Sequence, residues 1–364
     1  MTEEQGAREL SLKDHLLAQI KATGPLSIAQ FMQTCLLHPT LGYYTTRDPL
    51  GVTGDFITAP EISQMFGEVI GLALAQTWMD QGAPARFALA ELGPGRGTLM
   101  ADILRATKGV KGFHDAAEIH LIEASPVLQK AQLDILSGFS VTHHTTVTDL
   151  PKLPLFAVAN EFFDALPIRQ FTRDKDGWRE HLIAAQDSTL IMGLSDAAPI
   201  AALEHRVDDT TPDMRIETCP QATAIMSHLA QHIAQNGGAG LVIDYGDWRS
   251  NGDTFQALSN HKPVDPLTHL GTADLTAHVD FEALADAAKA SGATPSLMTP
   301  QGVFLERLGI TARAQSLAGK LSGTALEQHI AAHKRLTHPD EMGTLFKVLG
   351  ITPHGARPIA GLEF

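Results

Sequence analysis

Apolar residues in this chain occur in short continuous runs that alternate with segments of helical spacing. The apolar or β-branched runs lie at 87–92, 118–123, 141–146, 155–159 and 240–243. Helical spacing is found at 98–106, 126–136 and 222–235. Buried strands that alternate with helices are typical of a parallel sheet covered by helices on both faces. The pattern therefore predicts an α/β fold built on a mostly parallel sheet.

Parts of the chain depart from this alternation. Two short helices are expected near the start, an antiparallel hairpin at 168–194, and a long loop rich in Gly, Asp, His and Pro at 248–280. We therefore expect an N-terminal helical segment, with a loop that covers a bound ligand, over residues 1–80. The main domain would span 81–364, with insertions at about 168–194 and 248–280.

Composition and charge narrow the class of protein. The chain has 364 residues, 44% of them hydrophobic, as expected of a globular protein. Lys and Arg number 27 against 41 Asp and Glu, which gives a net charge of 27 − 41 = −14. An acidic surface repels phosphate backbones, so we expect a basic partner and no nucleic acid.

Other features of the composition concern location and metals. No apolar stretch reaches the length of a membrane-spanning helix, so no membrane span is expected. The two cysteines, Cys35 and Cys219, suggest a reducing compartment, and the first residues are acidic and polar. These observations predict a cytoplasmic protein. The histidines show no metal-ligand spacing with a carboxylate, so no metal site is predicted.

A glycine-rich loop follows the first apolar run of the main domain. Gly93, Gly95 and Gly97 come directly before a helical segment, and Glu91 lies two residues before the first glycine. A dinucleotide fold favours a small residue where Thr98 stands, and a carboxylate at Glu91 suits a cationic ligand better than a pyrophosphate. S-adenosylmethionine has an ammonium, a sulfonium and no phosphate, so it fits. A nicotinamide-dependent oxidoreductase remains the alternative.

Two further carboxylates follow neighbouring strands. Glu123 ends the second apolar run, where a carboxylate can accept both ribose hydroxyls of a nucleoside ligand. Asp149 follows the third run and is either an adenine contact or a solvated loop residue. Both residues support a nucleoside ligand without identifying it.

The fourth run ends in a polar cluster formed by Asn160, Glu161 and Asp164. Carboxyl ends of parallel strands line the ligand crevice, so these residues would face the reacting group. Two carboxylates three residues apart can bind a planar guanidinium through paired hydrogen bonds. Alternatively, the cluster marks a helix that Asn160 caps.

Several sequence blocks together resemble the MidA family of methyltransferases. The resemblance covers about residues 12–350 and rests on blocks at 42–44, 54–63, 91–97, 159–167, 243–246, 273–281 and 342–347. It implies a class I, Rossmann-like methyltransferase fold, with S-adenosylmethionine as methyl donor and S-adenosylhomocysteine as product. It also implies a protein arginine as acceptor, in a subunit of the respiratory complex I type.

The resemblance assigns roles to further residues. The 54–63 block would close over the cofactor, with Asp55 as a cofactor contact and Phe56 as an acceptor contact. Residues 58–61 also match a helix start with Thr58 as N-cap and Glu61 at the third position.

Two residues near the crevice have open assignments. Tyr245 would orient the acceptor or pack on the loop, and His278 would act on the acceptor as a base or have a structural role.

Other functions are compatible with the sequence. The chain could bind S-adenosylmethionine without catalysis, as an assembly chaperone for a basic client, or it could methylate a small molecule. The sequence identifies neither the acceptor nor the oligomeric state.

Overall fold

The computed structural model describes residues 11–46 and 58–364. Its α-helices are α1 Leu12–Thr23, α2 Ile28–Leu37, α3 Tyr43–Thr46, α4 Ala59–Ile62, α5 Gln64–Asp80, α6 Thr98–Thr107, α7 Phe113–Ala116, α8 Pro126–Ile135, α9 Pro220–Asn236, α10 Phe281–Ala290, α11 Gln301–Arg307, α12 Ile310–Ala318 and α13 Gly323–Thr337. Short 3₁₀ helices lie at Val147–Asp149 and Ala201–Arg206, and a π-helical turn lies at Pro339–Gly343.

The strands follow the same chain order. They are β1 Leu26–Ser27, β2 Phe87–Leu92, β3 Ala117–Ile122, β4 Val141–His144, β5 Leu155–Asn160, β6 Arg169–Asp174, β7 Gly177–Gln186, β8 Thr189–Leu194, β9 Arg215–Thr218, β10 Gly238–Asp247, β11 Gln256–Ser259, β12 Lys262–Val264, β13 Asp274–Thr276, β14 Val279–Asp280, β15 Ala293–Pro295, β16 Thr299–Pro300 and β17 Phe346–Pro353.

The described chain divides into two compact units. The sheet unit contains residues 58–165, 220–250 and 278–364. The hairpin unit contains residues 11–46, 166–219 and 251–277. The division into an N-terminal segment and a main domain, expected from the sequence, stays a prediction.

The sheet unit is built on strands in the order β15-β17-β10-β5-β2-β3-β4. Strands β10, β5, β2, β3 and β4 are parallel neighbours, and β17 runs antiparallel to β10 and β15. The predicted α/β fold with a mostly parallel sheet is therefore confirmed. No described helix is long and apolar enough to cross a bilayer.

The strand order reverses at β2. From β2 the chain adds β3 and β4 on one side, then returns to add β5, β10 and β17 on the other. The loops that leave β2 and β5 therefore diverge at their carboxyl ends. This topological switch point is where open α/β sheets bind their ligands.

Close helix packing supports the start of α6 at this edge. Helix α5 is buried along most of its length, and a Cβ at Gly71 would lie 2.8 Å from the Cα of Ile103 in α6. Only a residue without a side chain allows this approach. In the core of the same unit, Trp78, Phe87 and Phe113 form edge-on and tilted ring contacts. Because α6 follows the glycine loop directly, this packing restrains the loop.

The hairpin unit is antiparallel. Strands β1, β7, β6 and β9 are neighbours in that order, and β8 pairs with β7. Strands β6 and β7 form the hairpin predicted within 168–194, with Phe171 opposite Glu180. The prediction of a long loop at 248–280 is partly wrong, because β11 pairs there with both β12 and β13. These strands have three or four residues each, too few for a clear alternation of apolar and polar positions.

Candidate functional site

The candidate site lies at the carboxyl edge of the sheet unit. Glu91 is the penultimate residue of β2, Glu123 directly follows β3, and Asn160 is the last residue of β5. Opposite Asn160, in the register of β10, lies Ile243, so Asp244 is one residue further along. The carboxyl ends of neighbouring strands thus bring four polar side chains to the switch point.

The glycine loop connects β2 to α6 in a conformation that requires glycine. Gly93, Gly95 and Gly97 have φ values of +61°, +54° and +90°. A Cβ at Gly93 would lie 2.8 Å from Cδ2 of Phe162. Both the left-handed torsions and the close approach exclude larger residues. The ring of Phe162 therefore fills the space beside Gly93, and the turn from β2 into α6 depends on glycine there.

Glu91 is a buried carboxyl beside the glycine loop. The residue is 3% exposed, and its Oε2 has no hydrogen-bond partner among the described residues. Burial raises the pKa of Glu91 well above its usual value, while the backbone of Met100 opposes the shift. An unpartnered buried carboxyl oxygen is costly, and a cationic ligand would satisfy it.

Glu123 is held in place by hydrogen bonds from its own chain. The backbone N–H of Ser125 donates to Oε1 at 2.7 Å, and Nε2 of Gln132 donates to Oε2 at 3.3 Å. Burial nevertheless raises the pKa of Glu123 to about 7. Near neutral pH the group is therefore divided between its two protonation states.

The remaining cofactor candidates lie elsewhere or cannot be described. Asp149 is exposed and ends the 3₁₀ helix Val147–Asp149, so the structure does not bring it into the buried cluster. Asp55 and Phe56 lie outside the described residues. All three assignments stay predictions.

A tight turn follows β5. Glu161 has a φ of +49°, a left-handed torsion that is uncommon for a residue with a side chain. Its Oε1 accepts the Ala59 N–H at 2.9 Å and Nδ2 of Asn160 at 3.1 Å. No helix begins at this point, so the alternative of a helix capped by Asn160 is wrong.

Asp244 fixes the geometry of this turn from the neighbouring strand. Its side chain is fully buried, and Oδ2 accepts the backbone N–H groups of Phe162, Phe163 and Asp164 at 3.2, 2.9 and 3.3 Å. Its Oδ1 accepts the N–H of Tyr245 at 3.0 Å. Asp244 was not among the site residues expected from the sequence, although a carboxylate at the end of an apolar strand was the available signal.

The three carboxyls around the turn perturb each other. Withdrawal from water raises the pKa of Glu161 to about 7, and the nearby Asp164 adds to the shift. Burial also raises the pKa of Asp164 and of Asp244, and for Asp244 the Asp164 and Glu161 carboxyls contribute. Like charges this close cannot all be ionised, so the cluster keeps protons near neutral pH. Oδ1 of Asn160 and Oδ1 of Asp164 have no partner among the described residues.

Tyr245 and His278 border this cluster. The Tyr245 side chain hydrogen-bonds to Asp164, and its ring meets His278 edge-on with 5.4 Å between ring centroids. Partial desolvation and the charge of Lys347 lower the pKa of His278, so its imidazole is neutral at pH 7. Tyr245 therefore contacts the predicted acceptor residues directly, while His278 contacts them through Tyr245.

The capping arrangement predicted at 58–61 is only partly correct. Thr58 is the N-cap of α4, but its side chain makes no capping hydrogen bond. Glu61 accepts a hydrogen bond from the Thr98 hydroxyl at 2.5 Å instead. The segment after residue 57 is thus joined to the start of α6 by Glu61 and to the turn after β5 by Ala59.

The fold and its carboxyl-lined switch point are those expected of an α/β protein that binds a cationic nucleoside. The family model described as S-adenosyl-L-methionine-dependent methyltransferase matches residues 69–299. The chain belongs to this family, and S-adenosylmethionine is its cofactor. The resemblance to MidA-type methyltransferases is confirmed.

Individual relatives agree with this assignment. The chain is 38% identical to protein arginine methyltransferase NDUFAF7, mitochondrial, of Xenopus laevis, over 94% of this chain and 85% of that protein. It is 37% identical to the Homo sapiens protein of the same name, over 93% and 83%. A crystal structure from Burkholderia thailandensis, bound to S-adenosyl-homocysteine, is 26% identical with a TM-score of 0.82, over 96% and 93%.

The same relatives contradict the predicted location. Both of these curated relatives are named as mitochondrial, which contradicts a cytoplasmic location. The prediction of a cytoplasmic protein is therefore wrong. It rested on composition, cysteine usage and the acidic, polar first residues, and none of these specifies a cellular compartment.

The residues at the switch point fit the cofactor. The unpartnered Oε2 of Glu91 can accept an ammonium group. Gly93, Gly95 and Gly97 make the tight left-handed turn from β2 into α6 beside it. Glu123 offers a carboxyl that can accept ribose hydroxyls. The two carboxyl groups beside this turn thus match a cationic nucleoside.

Proposed function

We propose that this chain methylates a guanidinium nitrogen of an arginine in a protein substrate. The observation that supports this most directly is the turn after β5. There Asn160 and Asp164 each keep a buried oxygen without a partner among the described residues, next to the Glu161 carboxyl. Only the guanidinium of arginine combines a permanent charge with several donors in one plane. The relatives named as protein arginine methyltransferases support the same acceptor.

The protein substrate is proposed to be a subunit of the respiratory complex I type, as the MidA resemblance implies. The net charge of −14 supports a basic partner surface, because opposite charges steer association. Phe56, Tyr245 and His278 are proposed as further contacts of the acceptor segment.

Cofactor binding is assigned to the residues around β2 and β3. Glu91 would hold the ammonium, the backbone of Gly93, Gly95 and Gly97 would pack against the cofactor, and Glu123 would accept the ribose hydroxyls. Asp149 is proposed as an adenine contact and Asp55 as a contact from the covering loop. S-adenosylmethionine supplies a methyl group that its sulfonium makes electrophilic.

The turn after β5 would prepare the acceptor. A guanidinium nitrogen is a weak nucleophile because its lone pair is delocalised. Glu161 and Asp164 would bind the guanidinium and align one nitrogen with the methyl group, while Asn160 orients it. Transfer releases one proton from that nitrogen. Glu161, whose pKa is about 7, can take the proton at Oε2, since Oε1 already accepts two hydrogen bonds.

Variants of the two carboxylates test the assignment. We expect Glu161→Gln and Asp164→Asn to lower methyl transfer by at least about 100-fold. Binding of S-adenosylhomocysteine, measured by calorimetry, should change less than about twofold. Glu327→Gln, on the exposed surface of α13, is the matched control and should leave both unchanged. The assay follows labelled methyl groups into arginine-containing protein fractions and into the same peptides with lysine in place of arginine.

Other results would point elsewhere. An equal loss of transfer and of binding would contradict the acceptor assignment. Cofactor binding without transfer to any protein or peptide would favour an assembly chaperone. Transfer only to small amines would favour a small-molecule methyltransferase.

A further inference from the structure

A fully buried glutamine lies between the elements assigned to the cofactor. Gln132 is in α8, and its side chain is 0% exposed. Burying a primary amide is unfavourable unless its polar atoms are hydrogen-bonded. Gln132 is therefore expected to have a specific set of partners.

Those partners belong to three different elements. Nε2 donates to the carbonyl oxygen of Gly95 at 2.7 Å and to Oε2 of Glu123 at 3.3 Å. Oε1 lies 2.8 Å from Nε2 of His143 in β4. The Cα of Gln132 would also lie 3.5 Å from a Cβ at Gly97. One side chain thus contacts the glycine loop, the proposed ribose carboxylate and the edge strand.

This pattern determines the orientation of the amide and the tautomer of the histidine. The carbonyl of Gly95 and the carboxyl of Glu123 both accept, so the donor end of the amide faces them. The acceptor end then faces His143, whose Nε2 must bear the hydrogen. The reversed amide would place two acceptors against its own oxygen.

We propose that Gln132 is a positioning residue that ties the glycine loop to Glu123 and holds the Glu123 carboxylate ready for the ribose hydroxyls. The proposal rests on the role of Glu123 given under the proposed function. Gln132 acts through Glu123 and Gly95 and does not itself contact the reacting atoms.

The charge state of Glu123 depends on the same hydrogen bonds. Burial raises its pKa, whereas the bonds from Ser125 and Gln132 oppose the shift and leave the pKa at about 7. The other titratable groups near Glu123 are Glu91 in β2 and the two histidines of β4. The His143 side chain is hydrogen-bonded to Gln132, and the backbone carbonyl of His144 accepts the N–H of Glu123. Removal of the Gln132 amide should therefore raise the pKa of Glu123 further.

Gln132→Leu tests the proposal through the pH dependence of nucleoside binding. The probe is 5′-methylthioadenosine, which contains the ribose but no ammonium. Its binding therefore does not depend on an ion pair between Glu91 and the ligand. A hydrogen bond to a charged group corresponds to about one pKa unit. Binding that requires the Glu123 carboxylate should then weaken about eightfold at pH 6.5 and less than about twofold at pH 8.5. The midpoint of the profile should move upward by about one unit.

Controls separate this inference from the function on which it rests. Glu123→Gln should remove the pH dependence, and unchanged binding by that variant would overturn both the role of Glu123 and the role of Gln132. If Glu123→Gln weakens binding but Gln132→Leu weakens it equally at every pH, Gln132 only fills space and the inference alone is overturned. Should Gln132→Leu fail to fold, His143→Ala at the partly exposed end of the network replaces it. That variant should move the midpoint in the same direction by a smaller amount, and an unchanged midpoint would overturn the inference.

Discussion

Asp244 offers the sharpest test of how the site is built. This fully buried carboxyl in β10 accepts four backbone N–H groups, from Phe162, Phe163, Asp164 and Tyr245. Three of these belong to the turn after β5, so Asp244 determines where Glu161 and Asp164 lie. Its replacement should affect both stability and methyl transfer.

The magnitude follows from the number of donors left without a partner. Each hydrogen bond contributes about 1 kcal/mol, so Asp244→Ala should lower the free energy of unfolding by about 4 kcal/mol. In Asp244→Asn the one remaining oxygen can still accept from the turn, while the new amide faces the Tyr245 N–H. The loss of the Tyr245 hydrogen bond and the contact between two N–H donors should together lower the free energy of unfolding by about 2 kcal/mol.

Urea unfolding followed by tryptophan fluorescence measures the change, since Trp78 lies in the core of the same unit. Asp274→Asn is the matched control. Asp274 is also a buried aspartate that accepts a backbone N–H, from Leu275, but it lies in the hairpin unit. Both Asn variants should lose stability, but only Asp244→Asn should lower kcat while affinity for S-adenosylhomocysteine is retained. If Asp244→Ala unfolds within about 0.5 kcal/mol of the unaltered protein, the turn does not depend on this carboxyl.

Two other predictions concern the loop and the carboxyl cluster. Gly93→Ala would place a Cβ 2.8 Å from Phe162 at a φ of +61°, so calorimetry should show S-adenosylhomocysteine binding weakened by about tenfold. The control is Gly109→Ala, which has open space around it and should bind normally. Equal binding by both variants would contradict the loop geometry. The folded-state pKa of Glu161 is raised to about 7, so its contribution to stability is complete below about pH 4.5 and is lost as the pH rises through 7. Glu161→Gln should therefore make the unfolding free energy less dependent on pH between 5 and 8, and an unchanged slope would contradict the shift.

The features that the sequence predicted well are those with local signals. The strand predicted at 87–92 is β2, and the glycines that follow it have the left-handed torsions that only glycine adopts easily. The apolar run and the glycine spacing lie within a dozen residues, so no knowledge of distant partners was needed. For the same reason the hairpin around residues 174–177 could be predicted.

The features that were missed depend on partners far apart in the chain. Asp244 meets its turn across about eighty residues, and Gln132 meets Gly95 across 37. The spacing of Thr58 and Glu61 matched a capping box, but Glu61 bonds Thr98 instead, because tertiary contacts brought a stronger partner. Local patterns identify which residue types are available, while the fold decides which of them meet.

The protonation of the turn gives a physical reason to favour a cationic acceptor. Burial and mutual repulsion raise the pKa of Glu161, Asp164 and Asp244 together, so the cluster by itself is partly protonated near neutral pH. A neutral acceptor would not change this state, because it offers no charge to offset a second carboxylate. A guanidinium lowers the pKa of the carboxyls that it contacts, and they lose protons as it binds. The fraction of carboxylate that can accept the released proton therefore rises when an acceptor of the proposed kind binds.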